Sequence, residues 1–359
     1  MMYALCLDIG TSSLKGAVIS SEGKLVSDGR IYYKEGVVWQ QALYELMQKL
    51  DCTFSISAVA VSGAGPTFIP LKKDNSIGKP LFWNDKKEKP LVAGKSLYLP
   101  KLMWLKENRP EEYEETCCFL TMDGFFNWML TGCCNTPIFD DRFIPFFWSK
   151  EDAAQNGIDF EKLPPLVHTG EKVGEVTSEA EKKFGIKAGT PVFAGGSDFL
   201  MAILGTASLE PGQVCDRAGT SEGINYCCAG DKKSASPMLR IMPHITQGCA
   251  NISARLENSV KLSEADWEQY GNQLCRLLQA LEQEGCTVTA LRMSGGQAKN
   301  AEWNQLRANI TGRKVLVPEI EDGELTGCAC AAFTGLGLYE TPARAAEAMV
   351  RIKREYIPE

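Results

Sequence analysis

The chemistry this chain could carry begins at Asp8-Ile9-Gly10-Thr11-Ser12-Ser13-Leu14-Lys15, where an apolar run ends in a carboxylate and turns through glycine into three hydroxyl side chains. Glycine lets the backbone approach an oxyanion, the hydroxyls and N–H groups of Thr11, Ser12 and Ser13 can donate to it, and Lys15 adds positive charge. Asp8 suits a magnesium ion held through water, because that ion keeps much of its hydration shell and takes few protein carboxylates. An ordinary polar hairpin turn accounts for the same eight residues, so the octapeptide alone leaves both readings open. A second carboxylate, Asp198, follows Ala194-Gly195-Gly196-Ser197. At a strand end beside two glycines it could reach a substrate hydroxyl as a general base. As the residue before Phe199-Leu200-Met201 it could cap a helix, and the residues alone favour the cap.

Groups of this kind need rigid elements to aim them. Residues 4–10, 16–20 and 23–33 are three β-rich runs broken by Gly or Ser-Glu-Gly turns, which predicts an antiparallel meander. Val38, Leu43, Leu46 and Leu50 recur at helical spacing over 38–50, and 57–63 reads as a buried strand. Residues 97–131 read as helical up to a stop at Gly132, and the Pro- and aromatic-rich 137–148 as loop. Near residue 190 the pattern restarts, the run into Asp198 echoing the run into Asp8. Residues 57–65 find a counterpart in 289–297, each an apolar strand ending in Ser-Gly. The echo predicts two similar domains, 1–191 and 192–359. In the second, strands are expected near 214–229 and 315–320, and helices at 264–284, 324–336 and 341–354.

Composition removes several classes of function. The 359 residues are 44% hydrophobic and 23% charged, which suits packed cores and speaks against extended disorder. A net charge of −7 without a basic tract argues against nucleic-acid and anionic-membrane partners. No apolar run approaches the roughly 20 residues of a membrane span, and Asp8 interrupts the start where a signal peptide would still be apolar, so a cytoplasmic protein is expected. The 14 cysteines include adjacent pairs in apolar stretches and read as buried free thiols. Cys328-x-Cys330 with two distant histidines does not match structural zinc spacing.

Along nearly its whole length the chain resembles the FGGY carbohydrate kinases, members of the larger actin and hexokinase-like ATPase group. Residues 7–19 resemble the family's first phosphate motif, Trp83-Asn84-Asp85 its Trp-x-Asp segment, and 101–108 its first signature, with Tyr98 standing where Pro, Ser or Thr is usual. Residues 194–198 resemble the second phosphate motif, 218–223 the Gly-Thr-Ser turn, and the stretch from Ser294 the adenosine motif. The resemblance implies an α/β fold of two ribonuclease H-like (actin/hexokinase-type) domains, each a mixed β-sheet flanked by helices, with an ATP cleft between them. It implies that Asp198 is the catalytic base and a second contact for Mg2+, and that Asp8 organises Mg2+ through water. Gly10, Thr11, Ser12, Ser13 and Lys15 would face the ATP phosphates, with Gly219 and Thr220 supporting them. Gly295 and Gly296 would let the adenosine lie against the backbone, with Gln297 and Asn300 as polar contacts. Trp83 and Asp85 would line the sugar site together with Gly65, Pro66 and Phe199. Asp140 and Arg142 fall in a loop the family places along the cleft, a solvated turn being the plain alternative.

Two departures bear on the substrate. Ala64-Gly65-Pro66-Thr67 stands where relatives present polar or bulky residues, and Phe199 where they often carry Gln, so a more apolar pocket is expected. The stretch between 223 and 294 is also short, and the family's second signature is not recognisable there. The resulting expectation is ATP-dependent phosphorylation of a hydroxyl on a sugar, polyol or related carbohydrate. The alternative is a catalytically reduced nucleotide-binding sensor or regulator of the same fold, with an actin-like structural protein third. A small-molecule carbohydrate is the expected partner, and a homodimer is compatible with the resemblance.

Overall fold

Ala4–Ile9 and Ala58–Gly63 are buried residue after residue rather than alternately, the signature of strands covered on both faces of a sheet. The computed structural model describes the chain except residues 34–38, 51–54, 219–221, 233–235, 237 and 257–266. It divides into two compact units, the first comprising 1–21, 25–198 and 331–338, the second 22–24, 199–330 and 339–359.

In the first unit the order is β1 (Tyr3–Ile9), β2 (Ser13–Ser20), β3 (Leu25–Tyr32), α1 (Trp39–Lys49), β4 (Ile56–Gly63), β5 (Phe68–Lys72), α2 (Leu99–Asn108), α3 (Pro110–Glu115), β6 (Thr116–Thr121), α4 (Met122–Thr131), β7 (Thr136–Ile138), α5 (Lys150–Gln155), β8 (Leu166–His168), β9 (Lys172–Glu175), α6 (Ser178–Phe184) and β10 (Pro191–Ser197). Helix α7 (Asp198–Gly205) leads into the second unit, which holds β11 (Gln213–Ala218), β12 (Glu222–Ala229), β13 (Arg240–Pro243), β14 (Cys249–Leu256), α8 (Trp267–Gln283), β15 (Ala290–Ser294), α9 (Ala301–Thr311), β16 (Lys314–Pro318), α10 (Gly323–Gly335), α11 (Pro342–Met349) and β17 (Ile352–Tyr356). The last turns of α10 return to the first unit.

The first sheet has the order β3-β2-β1-β4-β10-β9 and the second β13-β14-β12-β11-β15-β16-β17. In the first, β1 pairs antiparallel with β2 and parallel with β4, β4 parallel with β10, and β10 antiparallel with β9. The second repeats this with β11, β12, β15, β16 and β17. Helix α1 buries Trp39, Ala42, Leu43, Leu46 and Met47 in the first core, each large apolar side chain contributing about 1.5–3 kcal/mol. Helix α8 does the same for the second core with Leu274, Leu277, Leu278 and Leu281.

The repeat is present, with a different register from the one the sequence suggests. Strand β4 and strand β15 do hold equivalent places, as the Ser-Gly echo implies. The counterpart of β1, however, is β11, whose Arg217 lies opposite Ser294 as Asp8 lies opposite Ser62, so that the repeat carries an arginine at the place of the first aspartate, whereas 191–197 is the last parallel strand of the first sheet. The contact division accordingly falls after Asp198, while the sequence reading places it at 191/192. Strands β1 and β10 are both apolar runs into an aspartate, and only their hydrogen-bonding neighbours distinguish first from last. Residues 116–121 form a strand inside a region read as helical, because distant β5 supplies an antiparallel partner. The helix expected over 341–354 stops at Met349, and 352–356 pairs with β16 instead. Residues 137–148, read as loop, include β7 and a 3-10 turn at 141–146. The thirteen described cysteines form no disulfides with one another. Among the described residues no helix is long and apolar enough to cross a membrane.

Candidate active site

Because β1, β4 and β10 run parallel side by side, their carboxyl ends share one edge of the first sheet. Asp8 lies opposite Ser62 on one side of β4, and Ser197 opposite Gly63 on the other. Two interstrand steps separate Asp8 from the end of β10, roughly 10 Å between backbones. This is the edge at which parallel α/β sheets bind ligands, since loops and helix starts converge there.

Asp8 is buried, receives a hydrogen bond from Ser62 Oγ at 3.1 Å on Oδ1, and meets Lys15 Nζ at 3.2 Å on Oδ2. The turn after it is closed by Gly10 N–H donating to Ser13 O at 3.0 Å, which leaves Thr11 and Ser12 exposed and buries Ser13. Trp83 Nε1–H donates to Thr11 Oγ1 at 2.7 Å. A threonine hydroxyl that accepts from an indole keeps its own hydrogen for another acceptor, so Trp83 orients Thr11 as a donor. A residue assigned to the sugar site and one assigned to the phosphates are therefore direct neighbours.

Asp198 opens α7 and is half-buried. The strand before it approaches β4 so closely that a Cβ on Gly195 would stand 2.0 Å from Val61 O, which accounts for glycine in the run leading to the aspartate. Two groups beside Asp198 escaped the sequence reading. Tyr98 is buried, stacks on Phe147 at 4.8 Å and packs edge-on against Phe68 and Trp148, and its hydroxyl bonds Ser197. Burial raises its phenol well above the ordinary value, and the charges of Asp123 and Asp198 add to that. The Tyr98 hydroxyl also lies over Gly65, where a Cβ would come within 2.7 Å of it. Asp123, near the start of α4, is buried and raised to about 6, chiefly by desolvation and further by Asp198, against the hydrogen bonds of Thr121 and the Gly124 N–H. The apolar 64–67 segment thus has a buried phenol hydroxyl beside it. The missing side chain at Gly65 is space taken by a phenol from 33 positions on, visible in the sequence only as the unusual residue before the first signature.

The remaining substrate-side candidates have defined partners. The Asp85 carboxylate is 3.8 Å from Lys87 Nζ, and its carbonyl accepts from Lys101 at 3.2 Å. Lys101 is fully buried and also meets Glu88 at 3.0 Å, which anchors the Trp83–Asp85 segment to α2. Asp140 caps the 3-10 turn by accepting from the Arg142 N–H at 3.0 Å, and its carboxylate meets the Arg142 guanidinium at 2.6 Å. Phe199 follows Asp198 in the first turn of α7, half-buried, and the Gly65-Pro66 peptide is cis.

In the second unit the carboxyl end of β15 leads into Gly295-Gly296. Ser294 Oγ accepts from Gly323 N–H at 3.0 Å and contacts Glu324 at 3.2 Å, while Gly295 N–H donates to Glu321 O at 2.7 Å, so the start of α10 holds this turn. Asn300 caps α9, its Oδ1 accepting from Trp303 N–H at 3.0 Å. Gly219 and Thr220 lie outside the described residues. Among the described residues no cluster of three or more His, Cys, Asp or Glu could hold a metal. The carboxylates of Asp8 and Asp198 are hard oxygen donors, compatible with magnesium completed by water and nucleotide phosphates.

Two units of one sheet topology, with a phosphate-type turn after the first strand and an acidic residue after the last parallel strand, define the class of paired ribonuclease H-like α/β proteins. Comparisons with known proteins narrow this. The family model described as the FGGY family of carbohydrate kinases, N-terminal domain, matches residues 86–205, and the C-terminal domain matches 268–336, together more than half of the chain. The chain belongs to the FGGY family of carbohydrate kinases. A relative named autoinducer-2 kinase from Yersinia enterocolitica is 26% identical over 345 aligned residues, covering 72% of this chain and 65% of the relative, and one of the same name from Yersinia pestis is as similar. The chain therefore spans just under two thirds of the length of these curated relatives. Among solved structures, the ligand-bound xylulose kinase from Lactobacillus acidophilus superposes with a TM-score of 0.80 at 16% identity, covering 100% of this chain and 94% of that one. Glycerol kinase from Plasmodium falciparum with ADP gives 0.77 at 15% identity, covering 100% and 94%. At these identities the likeness establishes the fold.

Proposed function

We propose that this protein transfers the γ-phosphoryl group of ATP to a hydroxyl of a sugar, polyol or related carbohydrate. The observation that carries the reading is the shared edge of β1, β4 and β10, which presents the Asp8–Lys15 turn and Asp198 from one rigid sheet. Phosphoryl transfer asks for charge neutralisation at the phosphates and a base at the acceptor, more than for covalent chemistry by the protein. Thr11, Ser12 and Ser13 with the Gly10 backbone would donate to the phosphates, and Asp198 would take the acceptor proton. Asp8 and Asp198 would hold Mg2+ through water; when bound, that ion neutralises charge developing on the phosphates. On the acceptor side Tyr98 and Ser197 add hydroxyl donors near Asp198, which suits a polyhydroxylated substrate. Trp83, Asp85, Gly65, Pro66 and Phe199 complete the proposed acceptor site, with Asp140 and Arg142 on the loop at its side. In the second unit Gly295, Gly296, Gln297 and Asn300 would receive the adenosine, supported by Gly219 and Thr220.

The test is Mg2+-dependent ADP release across ketoses, aldoses, polyols and sugar acids, including the acceptors after which the relatives are named: autoinducer-2, xylulose and glycerol. One acceptor should stimulate release, and Asp198→Asn should lower kcat by about 10²–10⁴-fold with nucleotide binding retained. Unchanged turnover in that variant would remove Asp198 from the mechanism. Nucleotide binding without turnover on any acceptor would favour the sensor reading.

A further inference from the structure

We propose that Trp303 and Arg307 are positioning residues that fix the side-chain amide of Gln297, so that its NH2 group projects beside the Gly295-Gly296 turn as a hydrogen-bond donor to an acceptor nitrogen of a bound purine. This rests on the nucleotide-binding reading above and adds to it the direction of the contact and the groups that enforce it.

Gln297 Oε1 accepts from Trp303 Nε1–H at 2.9 Å and from Arg307 Nη2–H at 3.3 Å. Indole and guanidinium are donors only, so the partners themselves decide which end of the amide faces inward. Turning the amide over would set N–H against N–H and leave buried donors unsatisfied. Both donors are held firmly. Trp303 is buried, stacks on Trp267 at 5.6 Å and packs on Tyr270 at 5.9 Å. Arg307 is fully buried, meets Glu222 at 3.2 Å and Asp216 at 3.7 Å, and lies over the Trp303 ring at 4.8 Å. The guanidinium is thereby held by buried acids inside the core, and what reaches the surface through Gln297 is a neutral donor.

The surroundings suit a flat heterocycle. Gln297 is half-buried, Gly296 is exposed, and a Cβ on Gly296 would meet nothing within 4 Å, so there is open space at the turn. A neutral NH2 at the rim of a side-chain-free turn matches ring nitrogens better than a phosphate, which calls for positive charge or several converging donors.

The test compares binding of Mg-ATP and Mg-UTP by calorimetry in wild type, Gln297→Glu and Trp303→Phe. Gln297→Glu keeps an acceptor for Trp303 and Arg307 and puts a carboxylate oxygen in place of the outward NH2, adding a negative charge that acts on both nucleotides alike. It should weaken ATP about 10-fold more than UTP, lowering the ATP-to-UTP ratio. Trp303→Phe keeps the ring and frees the amide, and should lower the ratio about threefold. Wild-type ATP affinity in Gln297→Glu, or a proportional loss of both nucleotides, overturns the inference while leaving the kinase reading intact. Failure of wild type to bind either nucleotide overturns both.

Discussion

Two buried groups, Tyr98 and Asp123, stand near Asp198 at the proposed acceptor site. Tyr98→Phe removes one hydroxyl and leaves the aromatic packing. It should raise KM for the acceptor by about 5–20-fold, as expected for a buried partner left unpaired, with nucleotide affinity unchanged. An equal rise for nucleotide would show that the hydroxyl serves only the packing of the aromatic cluster. Asp123 titrates near 6 because burial disfavours its charged form. Above that pH a second negative charge stands beside Asp198, so kcat/KM for the acceptor should show a step near pH 6 in wild type that is missing in Asp123→Asn. A profile identical in both would exclude Asp123 from the reaction.

At the scale of elements, the aim of Asp198 depends on how α7 is seated. Helices α7 and α10 touch backbone to backbone: a Cβ on Gly327 would lie 2.1 Å from Met201 O, and one on Gly205 1.8 Å from Gly323 O. Helices this close have no room for a methyl group without moving apart. Gly327→Ala should therefore cost about 1–3 kcal/mol in a denaturant melt. Because Asp198 is the first residue of α7, the same variant should lower kcat more than it raises KM for ATP. Unaltered stability would mean that the helices part freely, and that their contact does not hold Asp198 in place.

For the molecule as a whole, the buried acids set a pH dependence of stability. Glu222 is raised to about 8, chiefly by desolvation, with Asp216 opposing its ionisation and Arg307 favouring it. The folded chain then keeps a proton that the unfolded chain has lost, so this residue makes stability fall as pH rises from about 4.5 to 8. Asp123 acts in the same direction between about 4 and 6. Glu222→Gln, which can still donate to Asp216, removes the Glu222 contribution. Its Tm relative to wild type should climb between pH 5.5 and 8.5; a constant difference would show that Glu222 is ionised in the folded protein.

Contiguous chemistry was legible in the chain itself. Asp8 to Lys15 form one turn, Gly295 to Asn300 another, and the local backbone alone decides that glycine and hydroxyls meet there. The strand character of 57–63 and the helical stripe within 39–49 were likewise local. What the chain could not reveal by itself were relations set by partners far away in sequence. Residues 116–121 are a strand because β5 lies beside them, 191–197 is the last parallel strand of the first sheet because β4 accepts it, and Tyr98 and Asp123 come near Asp198 from separate elements. Periodicity and turn chemistry act over a few residues, so they determine which elements form. Hydrogen bonding between strands and the burial of charge act across the fold, and these alone decided which carboxylates stand together.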